Sequence, residues 1–228
     1  MRTLQFAFWS AFTVGAIFLV NHFYGIYAKN QARDSDRSDV ETIAKAMLSY
    51  KEKHGRLPPA VLYDPSDTPY SWRVALLPEL GHQKLYDEYR RSEPWDSEHN
   101  RQVLTKIPDV YRSAAERSDV TTSAYFVLAG PKTAFASSDG LSDPEITDPW
   151  ETLMTVVSAR RDIPWTKPED IEFDETASLP AFGGFHDGIF HMATASGMGR
   201  AMRMPNGQAE YLKQMINACD GLPNGCEF

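Results

Sequence analysis

Two histidines in the last quarter of the chain have side chains that could bind a metal ion or transfer protons. His186 and His191 flank Asp187 in the segment GGFHDGIFH. Histidine pairs that bind zinc from one face of a helix are four residues apart, in the pattern H-E-x-x-H, which this segment lacks. On a continuous strand, side chains five residues apart face opposite sides. The spacing therefore predicts no metal site, and it favours a turn histidine at His186 that bonds to the backbone.

A turn-rich acidic loop could bind calcium through carboxylate oxygens. Its acidic residues are Asp139, Asp143, Glu145 and Asp148. Ca²⁺ takes oxygen ligands, but the spacing here does not match the EF-hand loop. Acidic loops on acidic proteins are usually solvated, so calcium binding is the weaker interpretation.

The two cysteines, Cys219 and Cys226, lie close together near the C-terminal end of the sequence, in CDGLPNGC. The Gly, Pro and Asn residues between them favour a turn that would bring the sulfurs together. In an oxidising compartment they would form a disulfide. The alternatives are two free thiols or a metal site with two thiolates.

Motifs of hydrolases and nucleotide-binding enzymes are absent from the sequence. Thr194 stands where a nucleophile elbow, G-x-S-x-G, needs its first glycine. GGFHDG lacks the Lys-Ser/Thr of a phosphate-binding loop. We therefore expect a non-catalytic protein without a cofactor. Trp72, Trp95 and Trp165 are interpreted as core or loop-anchoring residues, with the alternative that some of them face a ligand.

The N-terminal stretch from Leu4 to Ala28 contains no charged side chain. Whether it is a membrane anchor determines where the rest of the chain, with the residues above, is located. At about 1.5 Å per residue, a helix of this length can cross a hydrocarbon core of roughly 30 Å. Aromatic residues crowd both of its ends, as at membrane interfaces. We expect a membrane anchor over residues 1–28 and one domain over residues 29–228. A cleaved signal peptide and a buried core helix remain the alternatives.

The remaining chain is acidic, with 22 Lys and Arg against 31 Asp and Glu after the first 28 residues. Such a surface repels nucleic acid, which excludes that class of partner. The Lys/Arg count around the anchor mildly favours a cytoplasmic domain, whereas a disulfide would place the domain outside the cytoplasm.

Periodicity predicts both helices and strands in this domain. Ser38 and Glu41 form a capping box before an apolar stripe that ends at His54. The stretch before Ser38 could continue this helix or break it. Three short helices are expected at residues 71–77, at 83–91 and after Asp96 or Ser97. The expected strands lie in 123–130, 152–159, 189–194 and 198–204, and a last helix lies within 206–221.

Several strings together resemble one bacterial family: SWRVALLPEL, EPWDSEHN, IPWTKPED and FGGFHDGIFHMATASG. The chain is similar to the pseudopilin-like proteins of domain of unknown function 1559, which end in an H-X9-DG region. The motif histidine corresponds to His186, and the Asp-Gly pair corresponds to Ser196 and Gly197. The resemblance implies an α+β fold of type IV pilin or pseudopilin type. In that fold a long N-terminal helix, half in the membrane, packs on an antiparallel sheet with short helices inserted.

The resemblance also implies how the protein works. We expect a single-pass protein of the inner (cytoplasmic) membrane, anchored in the lipid bilayer by residues 4–28, with its domain outside the cytoplasm. It would act by self-assembly or by binding other pseudopilin-like subunits, alongside a pilus-like apparatus or one like that of type II secretion. The apolar run has no glutamate of the pilin type and no basic leader before it, so an uncleaved anchor is expected. The alternative is an envelope receptor or carbohydrate-binding module.

Overall fold

A computed structural model describes the backbone of residues 2–116, 120–136, 140–142, 146, 148–204 and 209–218. Side chains are described for the same ranges from residue 17 onward. The four α-helices after the first one are short: α2 (Trp72–Ala75), α3 (Gln83–Glu88), α4 (Glu98–Leu104) and α5 (Ala209–Ile216). The strands are β1 (Val61–Tyr63), β2 (Pro69–Ser71), β3 (Tyr125–Phe126), β4 (Leu128–Ala129), β5 (Met154–Ser158), β6 (Ile171–Glu172), β7 (Ile189–Thr194) and β8 (Gly199–Arg203).

Helix α1 (Arg2–His54) is continuous over 53 residues and about 80 Å long. The capping box at Ser38 is wrong as a helix start, and of the two alternatives for the stretch before it the structure has the continued helix. The Ser38 carbonyl accepts a bond from Thr42 Oγ1 inside the helix, and Glu41 pairs with Lys45 instead of reaching back. The predicted end at His54 is confirmed, because Gly55 follows with a φ of +76° that terminates the helix.

The larger sheet is antiparallel, in the order β3-β5-β7-β8. Its faces are covered by different helices. One face packs on the second half of α1, where Val40, Ile43 and Met47 are buried. The other face carries Phe190 and Met192 of β7 and packs on α5. The structure thus confirms an α+β fold with a long N-terminal helix on an antiparallel sheet.

The short elements follow the local signals of the sequence. Ser97 caps α4, as one of the two predicted candidates, by accepting a hydrogen bond from the Asn100 amide. Ser71 caps α2 in the same way, and α2 ends at Ala75, earlier than expected. Predicted strand 123–130 is interrupted at Val127, so its halves pair with different partners: β3 with β5, and β4 in parallel with β6.

The segment of α1 from Ile17 to Tyr27 is exposed and lies outside the packed body. Eight large apolar side chains between Ile17 and Tyr27 are 44% to 73% exposed. Within the part of the chain searched, which is the described part, no helix has the length and apolar character needed to cross a membrane. The side chains of residues 4–16, the first half of the predicted anchor, lie outside the described residues.

Candidate functional site

Asp36, His186 and His191 form a buried cluster between α1 and the sheet. One ligand atom from each residue can be chosen so that all three lie within 4.8 Å of one another. Asp36 lies four residues before Val40 and seven before Ile43, so it belongs to the helix stripe that faces the sheet. Asp36 and His191 are fully buried, and His186 is 9% exposed.

The Asp36 carboxylate is held by hydrogen bonds from two segments that are distant in the sequence. Its Oδ1 accepts a bond from the Ala114 amide at 2.6 Å, and its Oδ2 accepts one from the Ser113 hydroxyl. His186 Nε2 lies 2.8 Å from Oδ2. Charge-assisted hydrogen bonds of this kind are about twice as strong as neutral ones. The cluster therefore ties α1 to the loop at Ser113 and to the turn that carries His186.

A tight turn brings the two histidine rings together. The His186 carbonyl accepts a bond from the Ile189 amide at 2.9 Å, across Asp187 and Gly188, whose φ is +67°. The imidazole rings are 5.2 Å apart at an interplanar angle of 88°. Two side chains five residues apart can therefore share one face, because the chain between them is a turn and not a continuous strand. This differs from the expectation based on strand alternation.

His191 is the least satisfied member of the cluster. Its backbone amide donates to Ser158 Oγ at 2.8 Å, whereas neither ring nitrogen has a hydrogen-bond partner among the described atoms. Burial lowers the pKa of His191 to about 4, and the charges of Arg33 and Arg37 act in the same direction, while Asp36 opposes the shift. The ring is therefore neutral at physiological pH, and one of its nitrogens carries a free lone pair.

The order of the polar groups does not suit nucleophilic catalysis. In a serine hydrolase the histidine lies between the serine and the carboxylate, and it takes the serine proton. Here Asp36 lies between Ser113 and His186, and the Ser113 hydroxyl donates to the carboxylate. Asp187, the carboxylate next to His186 in the sequence, is exposed and pairs with Lys29 at 3.5 Å. The cluster can hold α1 against the rest of the body through its hydrogen bonds. Its two imidazoles and one carboxylate are also groups that can ligate a metal ion.

The family-like strings SWRVALLPEL and IPWTKPED meet in a second buried cluster. Arg73 and Asp170 form an ion pair at 2.7 Å, and both side chains are buried. Asp170 also accepts bonds from Trp72 Nε1 at 2.9 Å and from the Val127 amide at 3.0 Å. The guanidinium of Arg73 donates further to the Tyr125 carbonyl. These strings thus form an internal clamp between α2 and the strands.

The EPWDSEHN string is held together in the same way. Asn100 donates to the carbonyls of Arg90, Glu93 and Pro94, and its oxygen accepts the Arg90 amide. A buried side-chain amide that bonds four backbone groups fixes the loop before α4. This string, too, has a structural explanation.

The tryptophans divide by burial. Trp72 and Trp165 are fully buried, and Trp165 Nε1 donates to the Leu104 carbonyl at 2.9 Å, so neither ring is available to a ligand in this structure. Trp95 is partly exposed, with Lys167 Nζ 5.9 Å from its ring centre. Trp150 stacks under Lys51 Nζ at 4.3 Å.

The other predicted site residues are only partly described. Asp148 is buried, with 3% of its surface exposed. The remaining calcium candidates and both cysteines lie outside the described residues: Asp139, Asp143, Glu145, Cys219 and Cys226. Ser196 and Gly197 form the turn between β7 and β8, and a Cβ at Gly197 would lie 3.2 Å from Lys45 Cγ of α1.

Asp36 was not identified from the sequence. A signal for it was present, since a carboxylate occupies the apolar stripe of an amphipathic helix one turn before Val40. Charged residues at such positions are rarely fully buried unless they are paired. Its partners, however, lie far away in the sequence, and no local pattern connects them.

Comparison with known proteins supports the resemblance seen in the sequence. A family model described as "Protein of unknown function (DUF1559)" matches residues 37–160. No curated protein and no solved structure matches the chain. The match covers the capped short helices, Arg73 and β3 to β5, and it ends before the segment of His186. The chain belongs to the DUF1559 family.

Proposed function

We propose that the chain is a membrane-anchored, non-catalytic envelope protein of pseudopilin-like build, which acts by assembly or binding. The observation that carries this proposal is the division of α1 into two halves. The half around Val40 and Met47 is buried against the sheet, and the half from Ile17 to Tyr27 exposes large apolar side chains.

An exposed apolar helix segment of this kind needs a cover, because contiguous apolar surface on soluble proteins is limited. The occupant we propose is the lipid bilayer, on the strength of the uncharged run from Leu4 to Ala28. Phe23, Tyr24 and Tyr27 then lie at the membrane interface, where aromatic side chains are enriched. Lys29 and Arg33 come next in the sequence, and the packed body begins near Asp36, directly after them.

The type IV pilin or pseudopilin likeness rests on the same helix. A single long helix that contributes its first half to a membrane or filament, and its second half to a sheet, is the architecture that the resemblance implies. Small side chains in the anchor, including Ala11 and Gly15, would allow close approach of neighbouring helices. Assembly of several copies through this segment is therefore part of the proposal.

A non-catalytic role is supported by where the family-like strings lie. The side chains of Arg73, Asp170 and Asn100 are buried and bonded to other parts of the same chain. Side chains used in this way stabilise the body and are not offered to a substrate. We place the body outside the cytoplasm, where Cys219 and Cys226 would be oxidised.

Fractionation of cells that express the full chain tests the anchor. The wild-type protein should remain in the membrane pellet after alkaline extraction. Replacing Ile17 and Val20 by lysine places two charges in the span. Each lysine at the centre of a membrane helix raises the free energy of insertion by about 2.5–3.5 kcal/mol. This double variant should move to the soluble fraction. The matched control carries Asn30→Lys and Ser49→Lys, at exposed positions of the same helix, and should stay in the pellet.

Recovery of wild-type chain from the soluble fraction would refute the proposal. Assembly has its own readout in detergent. A filament subunit should purify as higher oligomers that dissociate when residues 4–28 are removed. A receptor, the alternative function, should remain monomeric and gain thermal stability with its ligand.

A further inference from the structure

We propose that Asp36, His186 and His191 bind a divalent transition-metal ion, for which Zn²⁺ is the reference probe. Two imidazoles and a carboxylate are ligands that zinc and its neighbours in the first transition row accept. The three donors come from α1, from the turn before β7 and from β7 itself. A bound ion would therefore fasten the long helix to the sheet.

The distances lie close to those of a metal site. The candidate ligand atoms are within 4.8 Å of one another. Zinc ligands at about 2.0–2.2 Å from the ion are about 3.4 Å apart in tetrahedral geometry. A contraction of up to about 1.4 Å is therefore needed, which side-chain rotations would have to supply. His186 Nε2 now bonds to Asp36 Oδ2 at 2.8 Å, and this contact has to open for the ion to enter.

The second observation is that the buried ring of His191 makes no hydrogen bond within the described part of the chain. Its side chain is fully buried, and both ring nitrogens lack a hydrogen-bond partner among the described atoms. Leaving buried polar groups unsatisfied is costly, and such groups are rare in native proteins. Because its ring lies 5.2 Å from that of His186, an ion shared by the two rings would give one of these nitrogens its partner.

The surroundings orient the ligands as the outer shell of a metal site does. The Asp36 carboxylate is fixed by Ser113 Oγ and by the Ala114 amide, and the backbone of His191 is fixed by Ser158 Oγ. Partners of this kind set the direction of ligating groups. Of the three ligands, His186 lies in the wall of an open groove of about 370 Å³ between α1 and the Ala114 loop, so an ion would approach the cluster from this side.

Nearby positive charge limits the affinity. Arg33 and Arg37 lie on α1 on either side of Asp36 and act electrostatically on His191. Their repulsion of a cation has to be balanced by the carboxylate and by both rings. Loss of any one of the three ligands should therefore abolish binding, and not merely weaken it.

Metal titration of the full chain in detergent tests the site. After chelator treatment, Zn²⁺ should bind at one ion per chain by calorimetry. At a hundredfold excess over Kd, the unfolding temperature should rise by about 5–10 °C. Co²⁺ should give the visible absorption of a four-coordinate site. The same result is expected with Cys219→Ser and Cys226→Ser combined, which removes thiolate ligands.

His191→Phe keeps an aromatic ring in the buried position and removes both nitrogens. It should fold without metal and lose both the zinc-dependent shift and the cobalt spectrum. His82→Phe, at an exposed histidine outside the cluster, should bind as the wild type does. Asp36→Asn provides a second test if His191→Phe does not fold.

Three results would overturn the proposal. The first is the absence of saturable binding by the wild type. The second is binding that disappears with the two cysteines. The third is an unchanged cobalt spectrum in His191→Phe or in Asp36→Asn. Each outcome is independent of whether the chain sits in a membrane, so failure here leaves the proposed function standing.

Discussion

Replacing Asp170 by asparagine should strongly destabilise the body, because four donors converge on its carboxylate. Oδ1 accepts bonds from Arg73 Nη2 at 2.7 Å and from the Val127 amide. Oδ2 accepts bonds from Arg73 Nη1 at 3.3 Å and from Trp72 Nε1. An amide keeps one oxygen, so in either orientation two donors lose their acceptor. Each such donor costs about 1–3 kcal/mol, and more when it is charged.

The charge of Arg73 adds to this cost. The guanidinium is fully buried, and Asp170 is its ion-pair partner. Removing one partner of a buried pair typically costs about 3–5 kcal/mol. For a chain of this size, each kcal/mol corresponds to about 2–4 °C in unfolding temperature. We therefore expect Asp170→Asn to unfold about 6–20 °C below the wild type.

Thermal unfolding of the full chain in detergent, followed by circular dichroism, measures this effect. Glu175→Gln is the matched control, since Glu175 pairs with Lys132 at 2.8 Å and both side chains are about half exposed. Exposed pairs contribute about 0–1 kcal/mol, so the control should change little. If Asp170→Asn is no less stable than Glu175→Gln, the buried clamp does not hold the fold as argued.

Three further predictions concern other contacts. Asp36→Asn removes the negative charge from the group that bonds the His186 ring and the Ala114 amide. It should lower the free energy of unfolding in urea by about 2–4 kcal/mol, and a decrease below about 1 kcal/mol would contradict the role of this cluster in docking α1. Gly199→Val should cost about 1–3 kcal/mol by the same assay, because a Cβ there would lie 2.7 Å from a backbone oxygen of α1, and wild-type stability would show that β8 can move away. Burial raises the pKa of Tyr50 from 10.0 to about 12, so its contribution is complete below pH 10 and lost as the pH rises toward 12. The part of the tyrosinate absorbance that Tyr50→Phe removes should therefore appear only together with unfolding, and its appearance near pH 10 in the folded chain would refute the prediction.

Local signals in the sequence predicted the local elements well. Ser97 caps α4, and Gly55 ends α1, because each acts through bonds within one turn of its own position. The same reliance on local signals gave a wrong helix start at Ser38, because a cap pattern does not show whether the chain before it is also helical. Ser38 and Glu41 satisfy the pattern of a capping box, but the polar stretch before them contains neither Pro nor Gly, so the helix simply continues through it.

The candidate site could not be predicted because it depends on contacts between distant segments. His186 and Asp36 are 150 positions apart, and Ser113 is 77 positions from Asp36. Strand alternation placed His186 and His191 on opposite sides, whereas the turn at Gly188 folds the first histidine back over β7. Only the position of Asp36 on the buried stripe of α1 was open to sequence reasoning.

The segment from His186 to Gly197 seats β7 on α1 at both of its ends. His186 bonds to Asp36 at the beginning, and the turn at Gly197 packs against Lys45 and Leu48, about two and a half to three helical turns further on. The amide of residue 196 donates to the Trp150 carbonyl at 2.8 Å, which holds the turn through backbone atoms. A serine can therefore stand where the resembled motif has aspartate. Gly197 is harder to replace, because its φ of +84° disfavours any side chain and a Cβ there would also press on Lys45 Cγ at 3.2 Å.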